Sequence, residues 1–178
     1  LITAAAALLA MGVTDFPLIG LHLSRSGAFP EQAIPLLYAG AMAVDAAAAI
    51  AVGALYDRFG LKSLLVLFVA EALTAPLVFL APVPGILVGM ALWGVSVGTQ
   101  ESILKAAIGD RVSEDRRARA FGVFHTAFGA AWFAGSAVIG LLYDAWGAVP
   151  LVAFSVAVQF AAVAAFAVAV RQESGADS

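Results

Sequence analysis

Gly53-Ala54-Leu55-Tyr56-Asp57-Arg58-Phe59-Gly60-Leu61-Lys62 is a charged turn between two long apolar runs. It recurs 87 residues on: Gly140-Leu141-Leu142-Tyr143-Asp144-Ala145-Trp146-Gly147 repeats its Gly, Leu, Tyr, Asp and Gly in the same spacing. The copies differ in charge, because Arg58 and Lys62 of the first become Ala145 and Val149 in the second. So long a separation exceeds one soluble supersecondary unit of about 30 residues, and what lies between the copies sets their relation.

What lies between them is apolar. The chain is 63% hydrophobic and 12% charged, with a mean hydropathy of +1.01. Soluble domains are roughly half apolar and a quarter charged, and a soluble fold of this size lacks the interior to hide the excess. An all-α membrane protein is expected. The net charge of −3 says less than the clustering of the charges. The absence of cysteine excludes a disulfide framework, a thiol nucleophile and a Cys-based metal site. The chain opens on Leu1 inside an apolar run, without the basic start and cleavage site of a signal peptide, and reads as a piece of a longer protein.

Six apolar runs are expected to form membrane helices over residues 2–23, 34–56, 61–80, 85–108, 118–142 and 149–170, one domain over 1–170, with a disordered cytoplasmic tail over 171–178. Each approaches the ~20 residues that cross a hydrocarbon core of about 30 Å. Asp15 and Pro17 interrupt the first run, and a proline there opens a backbone gap that protein or a wet cavity must cover. Basic residues fall on one side: Arg58 and Lys62 after the second run, Arg111, Arg116, Arg117 and Arg119 after the fourth, Arg171 after the sixth. Cytoplasmic loops collect Lys and Arg, so both ends are expected to be cytoplasmic. Three crossings between the two turns then put them on opposite faces, the pattern of a 3+3 inverted repeat.

With these residues in place, Gly53-x-x-x-Asp57-Arg58-x-Gly60-x-Lys62 resembles the signature loop of the major facilitator superfamily, found between the second and third helices of each six-helix half. The segment from Lys105 to Gly122 resembles that family's inner loop between the fourth and fifth helices. The resemblance covers the whole chain as one half of a twelve-helix fold, and the final tail suggests the C-terminal half. It implies an integral protein of a bacterial inner membrane, a secondary transporter and not an enzyme, that works by alternating access about a midplane site. Its partners would be the lipid bilayer, a small-molecule solute and a missing N-terminal six-helix half, or a second copy of this chain. It also implies a cytoplasmic latch built from Gly53, Asp57, Arg58, Gly60 and Lys62 with Arg116, Arg117 and Arg119, in which Asp57 meets the exposed N–H groups opening the fifth helix. The plainer reading of the latch residues is loop charge that sets topology. A non-transporting scaffold or receptor, or a self-pairing half-transporter, is the alternative for the whole.

An acid inside a membrane helix is costly unless paired, protonated or wet. Asp45, Asp15, Glu101 and Glu71 are therefore candidates for proton coupling, in that order. Asp45 lies near the middle of the second run on a face of small residues with Tyr38, which suits a cavity wall. Asp15 shares a face with His22; Glu101 precedes Lys105 by four residues, the spacing of an ordinary helical ion pair; Glu71 sits on a helix expected at the periphery, where pairing with a neighbouring helix or oligomer is its one available account. For substrate contact the fourth run offers Trp93, Ser96 and Gln100, and the fifth Phe121, His125, Phe128 and Trp132. Rings with hydrogen-bonding tips suit a small-molecule site, although aromatic stripes at helical spacing also serve plain packing. Gly94 and Gly98, and Gly122 with Gly129, are the residues of close helix contact. His22 and His125 lack a second ligand at metal spacing; no metal, cofactor or nucleotide motif is present, and the acids Asp110, Glu114 and Asp115 among the basic residues argue against nucleic acid. The expected solute is small and amphipathic or an organic ion, with proton coupling, and export ahead of uptake. Asp57→Asn is expected to favour inward opening and cut transport while insertion stays normal; unchanged transport would count against the latch.

Overall fold

A computed structural model describes residues 2–100 and 112–176. Every α or 3-10 element among the described residues is helical: α1 Ile2–Gly12, α2 Phe16–Ser26, α3 Ile34–Phe59, α4 Leu64–Leu80, α5 Val83–Thr99, α6 Glu114–Trp146 and α7 Ala148–Ala176, with 3-10 turns at Glu31–Ala33 and Gly60–Ser63. The spans Thr3–Ser26, Ala33–Phe59, Glu114–Trp146 and Ala148–Ala169 are long and apolar enough to cross a membrane. Leu64–Leu80 and Val83–Thr99 are apolar but shorter, at 17 residues each, or about 25 Å.

The ends of these helices follow from capping more than from hydropathy. Ser113 is extended ahead of α6, its carbonyl accepts the Arg116 amide at 3.0 Å, and Glu114 and Asp115 fill the first turn. Acids there favour the positive end of the helix dipole, so the helix starts four residues before the expected 118. Gly60 and Gly147, the closing residues of the two similar turns, have φ of 58° and 84°. Each donates its N–H to the tyrosine of its own copy, Tyr56 and Tyr143. Glycine alone adopts this backbone cheaply. After Gly60, Ser63 Oγ donates to the Gly60 carbonyl at 2.7 Å, and the fourth α-helix begins at Leu64 instead of 61. At the far end α7 continues to Ala176 through the residues expected as a disordered tail. Arg171, Gln172 and Glu173 are good helix formers. The fourth run is helical as far as Thr99, and its expected end at 108 lies outside the described residues.

Packing follows small residues. α5 lies against both α3 and α4; α1 lies against both α6 and α7; α4 also meets α7. Where α5 crosses α3, a Cβ on Gly94 would collide with the Ala41 carbonyl, and one on Gly98 with the Asp45 carbonyl. Where α6 crosses α1, Gly135 meets the Met11 carbonyl in the same way. Only glycine allows backbones so close.

Two apolar cores result. One gathers Leu9, Leu64, Leu67, Phe68, Phe124 and Phe166; the other Ile19, Leu23, Val78, Phe79, Ile139 and Leu151. Along α4 the switch falls between Phe68 and Ala75, and along α7 between Val152 and Ala162. The buried polar residues in those gaps are Glu71, Thr74, Ser155 and Gln159, joined by Thr14 from the break after α1 and Ser96 from α5.

Gly135→Ala should lower stability by about 1–3 kcal/mol through overpacking, whereas Gly129→Ala, whose added carbon meets nothing within 4 Å, should not. Thermal unfolding of the purified complete protein, followed by tryptophan fluorescence, distinguishes the two; equal stability would contradict this packing.

Candidate functional site

The first apolar run does not form one helix. Pro17 carries no N–H, and Val13 to Asp15 leave the helical path between α1 and α2. In a continuous helix the carbonyls of Leu9, Gly12 and Thr14 would accept from the amides of Val13, Phe16 and Leu18. Here Val13 N–H turns to the Ala10 carbonyl at 3.3 Å, and Leu18 and Ile19 N–H both turn to the Asp15 carbonyl at 3.1 and 3.0 Å. The three carbonyls so released each receive a side chain. Gln159 Nε2 donates to Leu9 O at 3.1 Å, Ser155 Oγ to Gly12 O at 2.6 Å, and Trp93 Nε1 to Thr14 O at 3.0 Å. A lipid-covered break could not be satisfied in this way by water.

Two carboxyls flank the break. Asp15 is the residue before α2, yet its side chain does not cap that helix. Its Oδ1 accepts from Trp132 Nε1 at 2.7 Å and its Oδ2 from Ser136 Oγ, both on α6. Glu71 on α4 is 1% exposed. Its Oε1 accepts from Ser96 Oγ and from Gln100 Nε2, the latter at 3.2 Å, and the Gln100 amide also reaches Ser96 Oγ at 3.2 Å. The acid expected on a peripheral helix is therefore the most enclosed of the three described. Its enclosure follows from the packing of α4 against α5 and α7, which turns that face of the helix inward.

Asp45 takes a different position. It is half-buried, and its backbone carbonyl and Oδ1 both lie against Gly98. The small face that includes Ala41, Ala48 and Val52, expected to wall a cavity, is the buried seam of α3 against α5. Small residues suit both roles, and here the glycines opposite close the space. Glu101 and Lys105 lie outside the described residues.

The aromatic candidates divide into separate groups. Phe16, Tyr38 and Trp93 form a trio, with ring centroids 4.5 Å apart for Phe16 and Tyr38, 5.8 Å for Phe16 and Trp93, and 6.1 Å for Tyr38 and Trp93. Trp132 is not part of this trio and bonds Asp15. Phe121, His125 and Phe128 instead run along α6 around Phe124, with His125 stacked on Phe121 at 6.2 Å. His22 Nδ1 pairs with Tyr143 Oη at 3.0 Å, and Arg25 pairs with Asp144 at 3.5 Å, both joining α2 to the second signature turn.

The latch residues are placed singly. Asp57, Arg58 and Lys62 are exposed, Arg58 lies 5.2 Å over its neighbour Phe59, and Arg116 pairs with Asp115 at 3.6 Å. Arg117 and Arg119 are exposed on the first turns of α6, and a Cβ on Gly53 would meet nothing within 4 Å. Among the described residues no hydrogen bond joins Asp57 to the start of α6. Sequence reasoning passed over Thr14, Ser136, Ser155 and Gln159. Ser155 and Gln159, four apart on an otherwise apolar helix, share one face, and that spacing was the available signal.

Gln159→Leu and Ser155→Ala should each cost about 1–3 kcal/mol by leaving a carbonyl of the break without a donor, measured as the loss of thermal stability of the complete protein. Full stability in both would mean that the break is satisfied otherwise.

Comparison with known proteins agrees with this architecture. The profile of the Major Facilitator Superfamily matches residues 1–176. Uncharacterized proteins of Mycobacterium tuberculosis and Mycobacterium bovis are 41% identical over 134 residues, 75% of this chain and 33% of theirs. The chain thus spans about a third of the length of the curated relatives it matches. No solved structure matches it. On the family match and its apolar helices, this chain is part of an integral membrane protein, and it belongs to the Major Facilitator Superfamily.

Proposed function

We propose that this chain is one six-helix half of a secondary transporter, moving a small amphipathic or organic-ion solute by alternating access with proton coupling, in the direction of export. The observation that carries the reading is the fully buried polar layer around Glu71, set between two apolar cores in a bundle of membrane helices. A polar layer at that depth is costly to keep in hydrocarbon and is a functional feature by default. Members of this superfamily are transporters rather than enzymes.

The 3+3 inverted arrangement has structural support. If the crossings are numbered one to six, exchanging one with four, two with five and three with six turns the pair α5 and α3 into the pair α1 and α6, and the pair α5 and α4 into the pair α1 and α7. All four pairs are in contact. The two signature turns end in the same glycine geometry. Glu71 on the third crossing reaches α5, and Gln159, 88 residues later on the sixth, reaches α1. A partner half is supported by α3 and α6. These helices bury few residues, Ala41, Ala48 and Val52 on one and Phe124, Gly135 and Ile139 on the other, and leave long apolar faces open.

For coupling, the enclosure of Glu71 by neutral donors alone moves it ahead of Asp45 and Asp15, with Glu101 kept as a candidate. Solute flux into proteoliposomes of the complete protein, with and without a pH gradient, tests this. Glu71→Gln should lose the response to the gradient while solute exchange persists, and Asp45→Asn should retain it. Equal gradient dependence in the wild type and Glu71→Gln would remove Glu71 as the coupling acid; loss in Asp45→Asn alone would return that role to Asp45.

A further inference from the structure

We infer that His22 and Arg25 form a releasable clamp with Tyr143 and Asp144 of the second turn, and that α2 swings on the break at residues 13–15 when the clamp opens. The isolation of two charges points to it first. Arg25 is the sole Lys or Arg in residues 1–57, and Asp144 is the sole Asp, Glu, Lys or Arg in residues 120–170. The fold brings these two lone charges to 3.5 Å. The first turn carries its own cations, Arg58 and Lys62; the second has Ala145 and Val149 in their place and receives a cation from α2 instead. Tyr143 is the centre of the contact. Its hydroxyl shares a hydrogen bond with His22 Nδ1 at 3.0 Å, Arg25 lies 5.8 Å over its ring, and the ring meets Phe79 of α4 edge-on at 5.9 Å. His22 and Arg25, at i and i+3, project from one face of α2, and His22 also packs on Phe79 at 4.7 Å.

The element so held is lightly packed. α1 lies along α6 and α7, whereas α2 meets α3 and α4 and fully buries only Ile19 and Leu23 of its 11 residues. Backbone bonds at the break run on one side or the other: Val13 N–H turns back to Ala10, and Leu18 and Ile19 N–H turn to Asp15. The pivot itself is anchored, because Trp132 and Ser136 hold the Asp15 carboxylate and Trp93 holds the Thr14 carbonyl. What remains is a short arm on a fixed pivot, fastened near its far end. The fastening suits release. The Arg25 and Asp144 side chains are 54% and 77% exposed, and ion pairs and cation–π contacts in such positions are weak. Elements that move are drawn from those with few buried contacts and weak ties.

The test is the rate at which N-ethylmaleimide labels a buried reporter thiol in the complete protein, freed of other thiols and held in lipid nanodiscs. Ile19→Cys reports on α2 and Leu9→Cys on α1; both positions are 0% exposed. Labelling of both is expected to be slow with the clamp intact. Arg25→Gln combined with Tyr143→Phe removes the ion pair, the cation–π contact and the shared hydrogen bond while keeping the ring. It should speed labelling at position 19 about tenfold or more and leave position 9 unchanged. Arg25→Lys, which keeps the charge, should stay near the parent rate at position 19. An unchanged rate at position 19 in the double variant would overturn the inference. So would equal acceleration at positions 9 and 19, which would mark a general loosening of the bundle. Labelling requires no flux, so the result stands apart from the transporter reading.

Discussion

A helix that opens inside hydrocarbon must have its freed carbonyls met by protein, because each unsatisfied one costs several kcal/mol there. In this chain the opening is forced by Pro17, and the donors come from two other helices: Gln159 and Ser155 on α7 and Trp93 on α5. That requirement brings α5 and α7 to the two sides of the break. It also explains why polar residues are buried in a bundle so poor in them. The close seams at Gly135, Gly94 and Gly98 then set how near α6 approaches α1 and how near α5 approaches α3. Neither seam could tolerate a side chain without moving a backbone.

The polar layer separates two apolar cores and so divides the bundle along its length. The two described carboxyls beside the break are held differently. Glu71 is enclosed by Ser96 and Gln100, while Asp15 is held by Trp132 and Ser136 on α6. At the far end of α2, His22 and Arg25 tie this helix to Tyr143 and Asp144 of the second signature turn. The exposed ion pair adds little stability, but the part-buried His22 contact fixes where α2 meets α6.

Much of the bundle was legible because long apolar runs, one-sided basic residues and a repeated turn are properties of the chain before it packs. The disruption near Asp15 and Pro17 was legible too, because proline cannot supply the missing donor. What the runs did not reveal was direction around each helix. An alanine-rich face such as Ala41, Ala48 and Val52 suits a cavity wall and a tight seam equally, and only the glycines placed opposite by the fold decide for the seam. Glu71 was expected on a peripheral helix with pairing to a neighbouring helix or oligomer as its one account, and no single sequence shows that the neighbour is α5. The start of α6 at Glu114 was hidden for another reason: Ser113 and the acids after it extend a helix beyond its apolar part, where hydropathy is silent.

The proposed six crossings would place the two similar turns on opposite membrane faces, and the proposed inverted repeat and transport pathway rest on that topology. This chain contains no cysteine, so Asp57→Cys and Asp144→Cys can be labelled singly in a parent protein freed of any other thiol. With an impermeant maleimide applied to intact cells, position 144 should react at once and position 57 only after the membrane is permeabilised. Reaction of both positions from the same side would contradict the topology, and with it the repeat.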